Sequence, residues 1–130
     1  VGYGPDRSYH MSPLGDVVRA GIPFAVHSDM TIGPCIPLEA VWIAVNRVGQ
    51  AGQVIMPEQR VSLDLALKAI TINAAYILRL DHTAGSIEVG KWADFAVLKE
   101  SPYDVDPMAI KEIPVWGTVV GGVKYPATDA

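Results

Sequence analysis

Asp29 is the residue of this chain best placed for chemistry. It closes the run Ile22-Pro23-Phe24-Ala25-Val26-His27-Ser28-Asp29, in which an apolar stretch gives way abruptly to polar side chains. In parallel sheets and barrels, functional groups collect at the carboxyl ends of strands, where loops bring side chains together. A carboxylate there can bind a divalent metal or act as a general base toward metal-bound water. The same residue also has a structural use, since an Asp after a strand accepts backbone N–H bonds as an Asx turn, here from Thr31 or Ile32. Both readings are open on placement alone. Strand alternation points His27 away from Ser28, and a packed or hydrogen-bonded role is expected of it. His10, in an unpatterned loop, and His82, beside Asp81, read as solvated. Cys35 lies between Pro34 and Ile36 without a basic neighbour, and reads as a buried, inert thiol. The sequence contains no His-x-His, His-Glu-x-x-His or nucleophile-elbow motif.

The elements that must position Asp29 follow from punctuation and period. Residues 1–12 read as a loop. Ser12 is the expected N-cap and Pro13 the first residue of a short helix over 13–20, ended by Gly21. Residues 22–26 form a near-continuous apolar run, as in a strand buried on both faces of a parallel sheet. A helix over 38–48 carries Val41, Trp42, Val45 and Val48 at helical spacing, and Gly49 to Gly52 breaks it. Ser62 caps another helix with Asp64 in its first turn. That helix is apolar nearly all round, so deep packing is expected. Thr71 is the expected cap of a further helix through Arg79. Beyond Gly85 come a turn-rich connector, a strand over 94–98, and strands 115–120 and 123–125 flanking Gly121-Gly122, a hairpin signal. The scattered Met and Trp residues read as core filling.

The 130 residues are half hydrophobic and 18% charged, with a net charge of −4, which excludes a disordered tail. The length suits one core. No run of about 18 apolar residues suggests a membrane span, and the acidic balance without Lys/Arg clusters argues against a nucleic-acid partner. One cysteine permits no internal disulfide and favours a reducing, cytoplasmic setting, although the compartment stays open. The chain starts at Val1 without signal-peptide features, which leads us to expect processing or truncation of a longer protein.

Four segments in order resemble the C-terminal end of the amidohydrolase superfamily. They are Gly21 to Asp29, Ala66 to Ala75, Gly85-Ser-Ile-Glu-Val-Gly-Lys-Trp-Ala-Asp-Phe to Leu98, and Val119 to Tyr125. Within the superfamily the chain is most similar to the third amidohydrolase family, that of N-substituted formamide deformylase-like enzymes. The resemblance covers nearly the whole chain, and the Gly85 to Phe95 pattern is its most specific part. It implies an α/β fold: the last strand and helices of a (β/α)₈ TIM-type barrel over residues 1–80, and strands of a small composite β-sandwich over 81–130. It also implies a metal-dependent hydrolase of carbon–nitrogen bonds, with a divalent metal such as zinc and a small amide-type substrate of N-acyl or N-formyl type. Asp29 matches the aspartate that touches the metal-bound water and acts as base, making it the catalytic residue and a weak or water-mediated metal contact. Ser28 matches a supporting residue, and the Thr71–Ala75 and Gly85–Leu98 segments match structural elements. The family's histidine ligands match nothing in residues 1–27 and are expected upstream.

A full barrel needs roughly 250 residues, so the chain on its own is expected to be inactive, because one carboxylate cannot hold zinc tightly. With neighbouring strands missing, exposed edges should drive self-association. The alternative is a free-standing, non-catalytic α/β binding or interaction module; a degenerate protein that keeps the barrel's end as scaffold is a third reading.

Overall fold

The computed structural model describes residues 10–30, 32–49 and 51–128. Most of the loop expected over residues 1–12, together with Thr31 and Gln50, lies outside them. Among the described residues, four short helices precede a three-stranded antiparallel sheet: α1 (Leu14–Arg19), α2 (Pro37–Asn46), α3 (Leu63–Ile70), α4 (Ile72–Ile77), then β1 (Phe95–Leu98), β2 (Val115–Val120) and β3 (Val123–Pro126), in spatial order β1-β2-β3. Single-turn 3₁₀ helices occur at Pro57–Gln59 and, as a longer run, at Pro107–Glu112.

Helix α1 forms where expected, but Ser12 does not cap it. Pro13 takes the cap position without a side-chain bond, and Ser12 lies at φ +56°. A capping hydroxyl needs an extended backbone. Instead, the Ser12 carbonyl accepts from the Leu14 N–H at 2.8 Å and from Arg47 Nη1 at 3.1 Å. Helix α2 starts with Pro37 at its first position and ends at Arg47, which adopts a left-handed conformation (φ 55°, ψ 40°). Val48 falls outside the helix and forms an isolated antiparallel bridge with Val54.

Ser62 caps α3 as read, its Oγ accepting from the Leu65 N–H at 3.4 Å. Only Ala66 and Ala69 are fully enclosed there, while Leu63, Leu65, Leu67 and Ile70 are half-buried, so α3 is shallower than its all-round apolarity implied. Thr71 lies between α3 and α4 but does not cap. Its hydroxyl donates backward to the Leu67 carbonyl at 2.7 Å, which leaves no oxygen directed at the following amides.

The expected strand at residues 22–26 has no ladder partner among the described residues. The stretch is fixed instead by the Val26 N–H on the Ala69 carbonyl (3.3 Å) and by Asn73 Nδ2 on the Phe24 carbonyl (3.1 Å). A parallel strand draws its definition from hydrogen bonds to neighbours; here α3 and α4 supply two such bonds from one side only.

The hairpin reading holds. Gly121 and Gly122 both take positive φ (56° and 82°), the geometry of a type I′ turn, with Val120 paired to Val123. The turn is tied back to β1: Asp94 Oδ1 accepts from the Gly121 N–H (2.6 Å) and the Ala93 carbonyl from the Gly122 N–H (3.1 Å).

The core gathers Leu38, Val41, Trp42 and Ala44 of α2 with Val61, Ala66, Ile110 and Ile113. The 3₁₀ run Pro107–Glu112, which no sequence signal announced, clasps α2. Its Met108 carbonyl accepts from Trp42 Nε1 (2.9 Å), its Pro107 carbonyl from Asn46 Nδ2 (2.8 Å), and Lys111 Nζ lies 4.2 Å from the Trp42 ring centre. Of the residues read as core filling, Trp42 and Met56 are buried, whereas Met11, Met30, Trp92, Met108 and Trp116 are exposed.

Candidate functional site

Asp29 sits where the apolar stretch from Ile22 turns into a tight loop. Its backbone is left-handed (φ +52°), a conformation that short polar side chains tolerate better than bulky ones. The turn closes through backbone groups: the Asp29 carbonyl accepts from the Ile32 N–H at 2.9 Å, and Met30 bridges Gly33. At Gly33 a Cβ would lie 2.9 Å from the Ser28 carbonyl, so only glycine lets the loop double back this closely. The Ile32 amide therefore bonds the main chain of Asp29, not its carboxylate; Thr31 lies outside the described residues. Among those residues the carboxylate accepts no hydrogen bond, and the Asp29 side chain is exposed.

His27 Nδ1 accepts from the Asp29 N–H at 3.0 Å, so the imidazole orients the turn that carries the carboxylate. His27 and Ser28 also line a cleft of about 540 Å³ between the 25–28 stretch, α1 and α2, whose floor includes Leu14, Val17 and Ile43. Arg47 lines the same cleft and is the charged residue that the sequence reading missed. Only 7% of it is exposed, and it donates to the carbonyls of Met11, Ser12 and Ile55 at 3.1–3.3 Å. Its burial pushes the guanidinium pKa below its ordinary value, with Glu58 acting in the opposite sense. A polar residue directly after a helix's last apolar turn was the available signal. A second, shallower hollow of about 630 Å³ lies on the sheet, away from Asp29.

The other chemical candidates remain apart. His10 and His82 are exposed, as expected of solvated groups. Cys35, expected to be buried, is exposed, because it sits on the surface loop leading into α2 rather than in that helix's packed face. Among the described residues no three His, Cys, Asp or Glu side chains converge to hold a metal ion. Asp29 offers a single carboxylate, and the nearest imidazole has its Nδ1 already engaged by a backbone amide. These residues by themselves do not fit a tightly bound divalent metal, which takes three or four protein ligands.

The architecture is that of an α/β chain with a polar turn following an apolar stretch. The profile of the amidohydrolase family matches residues 2–124, and the chain belongs to that family. It is 36% identical over 119 residues to the N-substituted formamide deformylase of Arthrobacter pascens, an overlap of 91% of this chain and 22% of that protein. It is 30% identical over 116 residues to the imidazolonepropionase of Bacteroides fragilis, covering 86% of this chain and 25% of the relative. Among solved structures it is similar to an amidohydrolase from Thermotoga maritima, with a TM-score of 0.58 and 29% identity over 88% of this chain and 26% of that one. The chain thus spans about a quarter of the length of these relatives.

Proposed function

We propose that this chain is the C-terminal portion of a metal-dependent hydrolase that cleaves carbon–nitrogen bonds of small amide-type substrates. The family match over residues 2–124 supports the class, and the names of the relatives support the bond type. In this reading residues 1–80 end a (β/α)₈ barrel, with the stretch 22–26 as its last strand, and residues 81–130 belong to a composite β-sandwich. The observation that carries the assignment of Asp29 is its carboxylate, exposed at the end of that stretch and accepting no hydrogen bond among the described residues. Asp29 is the general base: it takes a proton from water as the oxygen attacks the amide carbon, and returns it to the leaving nitrogen. His27, through the Asp29 amide, and Gly33, through close approach to Ser28, hold the turn in position. A divalent metal such as zinc would polarise the carbonyl in the complete enzyme, held by ligands outside these residues.

The test joins this chain to the upstream three-quarters of the A. pascens deformylase. The chimera should hydrolyse N-formyl amides, and Asp29→Asn in it should lower kcat by about 10²–10⁴-fold with the fold intact. The 130-residue chain with added zinc should show no turnover. A folded chimera whose rate is indifferent to Asp29→Asn would remove the residue from the reaction, and turnover by the chain alone would contradict the partial-enzyme reading.

We also infer that the free chain self-associates, since the expected strand over residues 22–26 has no ladder partner among the described residues.

A further inference from the structure

The turn that presents Asp29 also carries two large apolar side chains. Met30 is 69% exposed and Ile32 85% exposed, and neither belongs to the core cluster. Exposure by itself assigns nothing in a chain that spans about a quarter of its relatives. Position relative to Asp29 is what gives these residues a role. The Asp29 carbonyl accepts from the Ile32 N–H at 2.9 Å, so Asp29 and Ile32 are the two ends of a β-turn. Their Cα atoms therefore lie within about 7 Å of one another. Met30 is covalently next to Asp29 and bridges Gly33. These separations are set by the turn's own bonds, whatever else packs around it.

The loop is suited to hold an apolar surface still. Gly33 closes it against the Ser28 carbonyl, which a Cβ there would meet at 2.9 Å, and Pro34 and Pro37 fix φ at two further positions. No charged residue occurs from Met30 to Leu38. A surface that is already ordered binds at a lower entropic cost than one that must be ordered by its ligand. Methionine, unbranched and polarisable, adapts to irregular apolar shapes.

The path of the proton decides which part of a substrate meets these side chains. In the reaction proposed above Asp29 returns its proton to the leaving nitrogen, and that nitrogen must come within about 3 Å of the carboxylate. A substituent on the nitrogen therefore begins inside the span of the turn. We propose that Met30 and Ile32 form the subsite for the nitrogen substituent, and that it favours secondary amides whose nitrogen carries an alkyl group of several carbons. This rests on the assignment of Asp29 as base and adds the substrate class to it.

The experiment uses the chimera described above and a series of N-alkylformamides from methyl to hexyl. In the parent chimera kcat/KM should rise by about three- to fourfold for each methylene buried. Ile32→Ala and Met30→Ala should each cut the hexyl-to-methyl ratio of kcat/KM by about tenfold or more. Val123→Ala, at a comparably exposed apolar position on β3, should leave that ratio unchanged. Should an alanine variant fail to fold, Ile32→Val removes a single methyl group and should lower the ratio by about two- to fourfold. A parent rate indifferent to chain length overturns the subsite, and so does an equal loss on every substrate in the Ile32 and Met30 variants, which is the mark of side chains that pack on the protein. Asp29→Asn in the same series separates the two readings. If it abolishes the rate while the Ile32 and Met30 variants keep the parent ratio, the subsite falls and the base assignment stands. A folded chimera that is inactive, or indifferent to Asp29→Asn, overturns both.

Discussion

At the scale of single residues, Asp16 and Tyr103 have displaced pKa values and stand at joints of the chain. Asp16 opens the first turn of α1, and hydrogen bonding from Arg19, then from Gln59, holds its carboxyl below the ordinary 3.8. A depressed folded-state pKa gives stability that is present above the unfolded value and lost as pH falls through the folded one. The melting temperature of wild type should therefore exceed that of Asp16→Asn at neutral pH, and the gap should close below about pH 4. Tyr103 behaves in the opposite sense. Its hydroxyl donates to Asp64 Oδ1 at 2.6 Å, and that bond raises its pKa above the ordinary 10.0. Its contribution is complete below pH 10 and fades as pH rises through the folded value. Wild type and Tyr103→Phe should thus converge in thermal stability only in strong alkali. The turn at Asp29 was legible from placement, since polarity flips after an apolar run. What the sequence could not show was which of its oxygens closes the turn. Backbone and side-chain acceptors at one residue compete over fractions of an ångström, and the left-handed φ decided for the carbonyl.

At the scale of elements, local chemistry was readable where one residue type had a single use. Gly121-Gly122 needed positive φ at two successive positions, and the hairpin formed; Ser62 had an apolar run ahead of it, and it capped α3. Ser12 and Thr71 failed as caps because other partners took precedence: Arg47, thirty-five positions away, claims the Ser12 carbonyl, and the Thr71 hydroxyl turns back to Leu67 in the preceding helical turn. The Pro107–Glu112 clasp escaped notice because 3₁₀ turns carry little periodicity, although Asp106 caps this one through Met108 N–H at 2.7 Å. The hairpin offers a clean test of conformational cost. No atom lies within 4 Å of a Cβ built on either turn glycine, so substitution meets no steric obstacle. Gly122→Ala should cost about 1–2 kcal/mol in urea denaturation through φ alone. Gly121→Asn should be nearly neutral, since Asn accepts a left-handed conformation.

At the scale of the whole molecule, the two parts distinguished by sequence character share one core. Residues 1–80 contain the helices, yet Ile110, 1% exposed, and Ile113, 6% exposed, complete the cluster around Val41 and Trp42. Each buried isoleucine is worth about 1.5–3 kcal/mol, against a net stability of about 5–15 kcal/mol for a domain. Removing both, with the Met108 and Pro107 carbonyls that satisfy Trp42 and Asn46, takes away a large share of that margin. A chain ending at Asp106 should therefore lose the cooperative urea transition, followed by circular dichroism. Ile110→Ala in the full chain should keep the transition but lower its stability by about 2–5 kcal/mol, the range for cavities left by large core side chains. An unchanged midpoint for the shortened chain would mean that the helical part is self-sufficient and the clasp incidental. The milder variant separates that outcome from simple failure to fold, because it removes only the side chain that enters the core and leaves the hydrogen bonds to α2 in place.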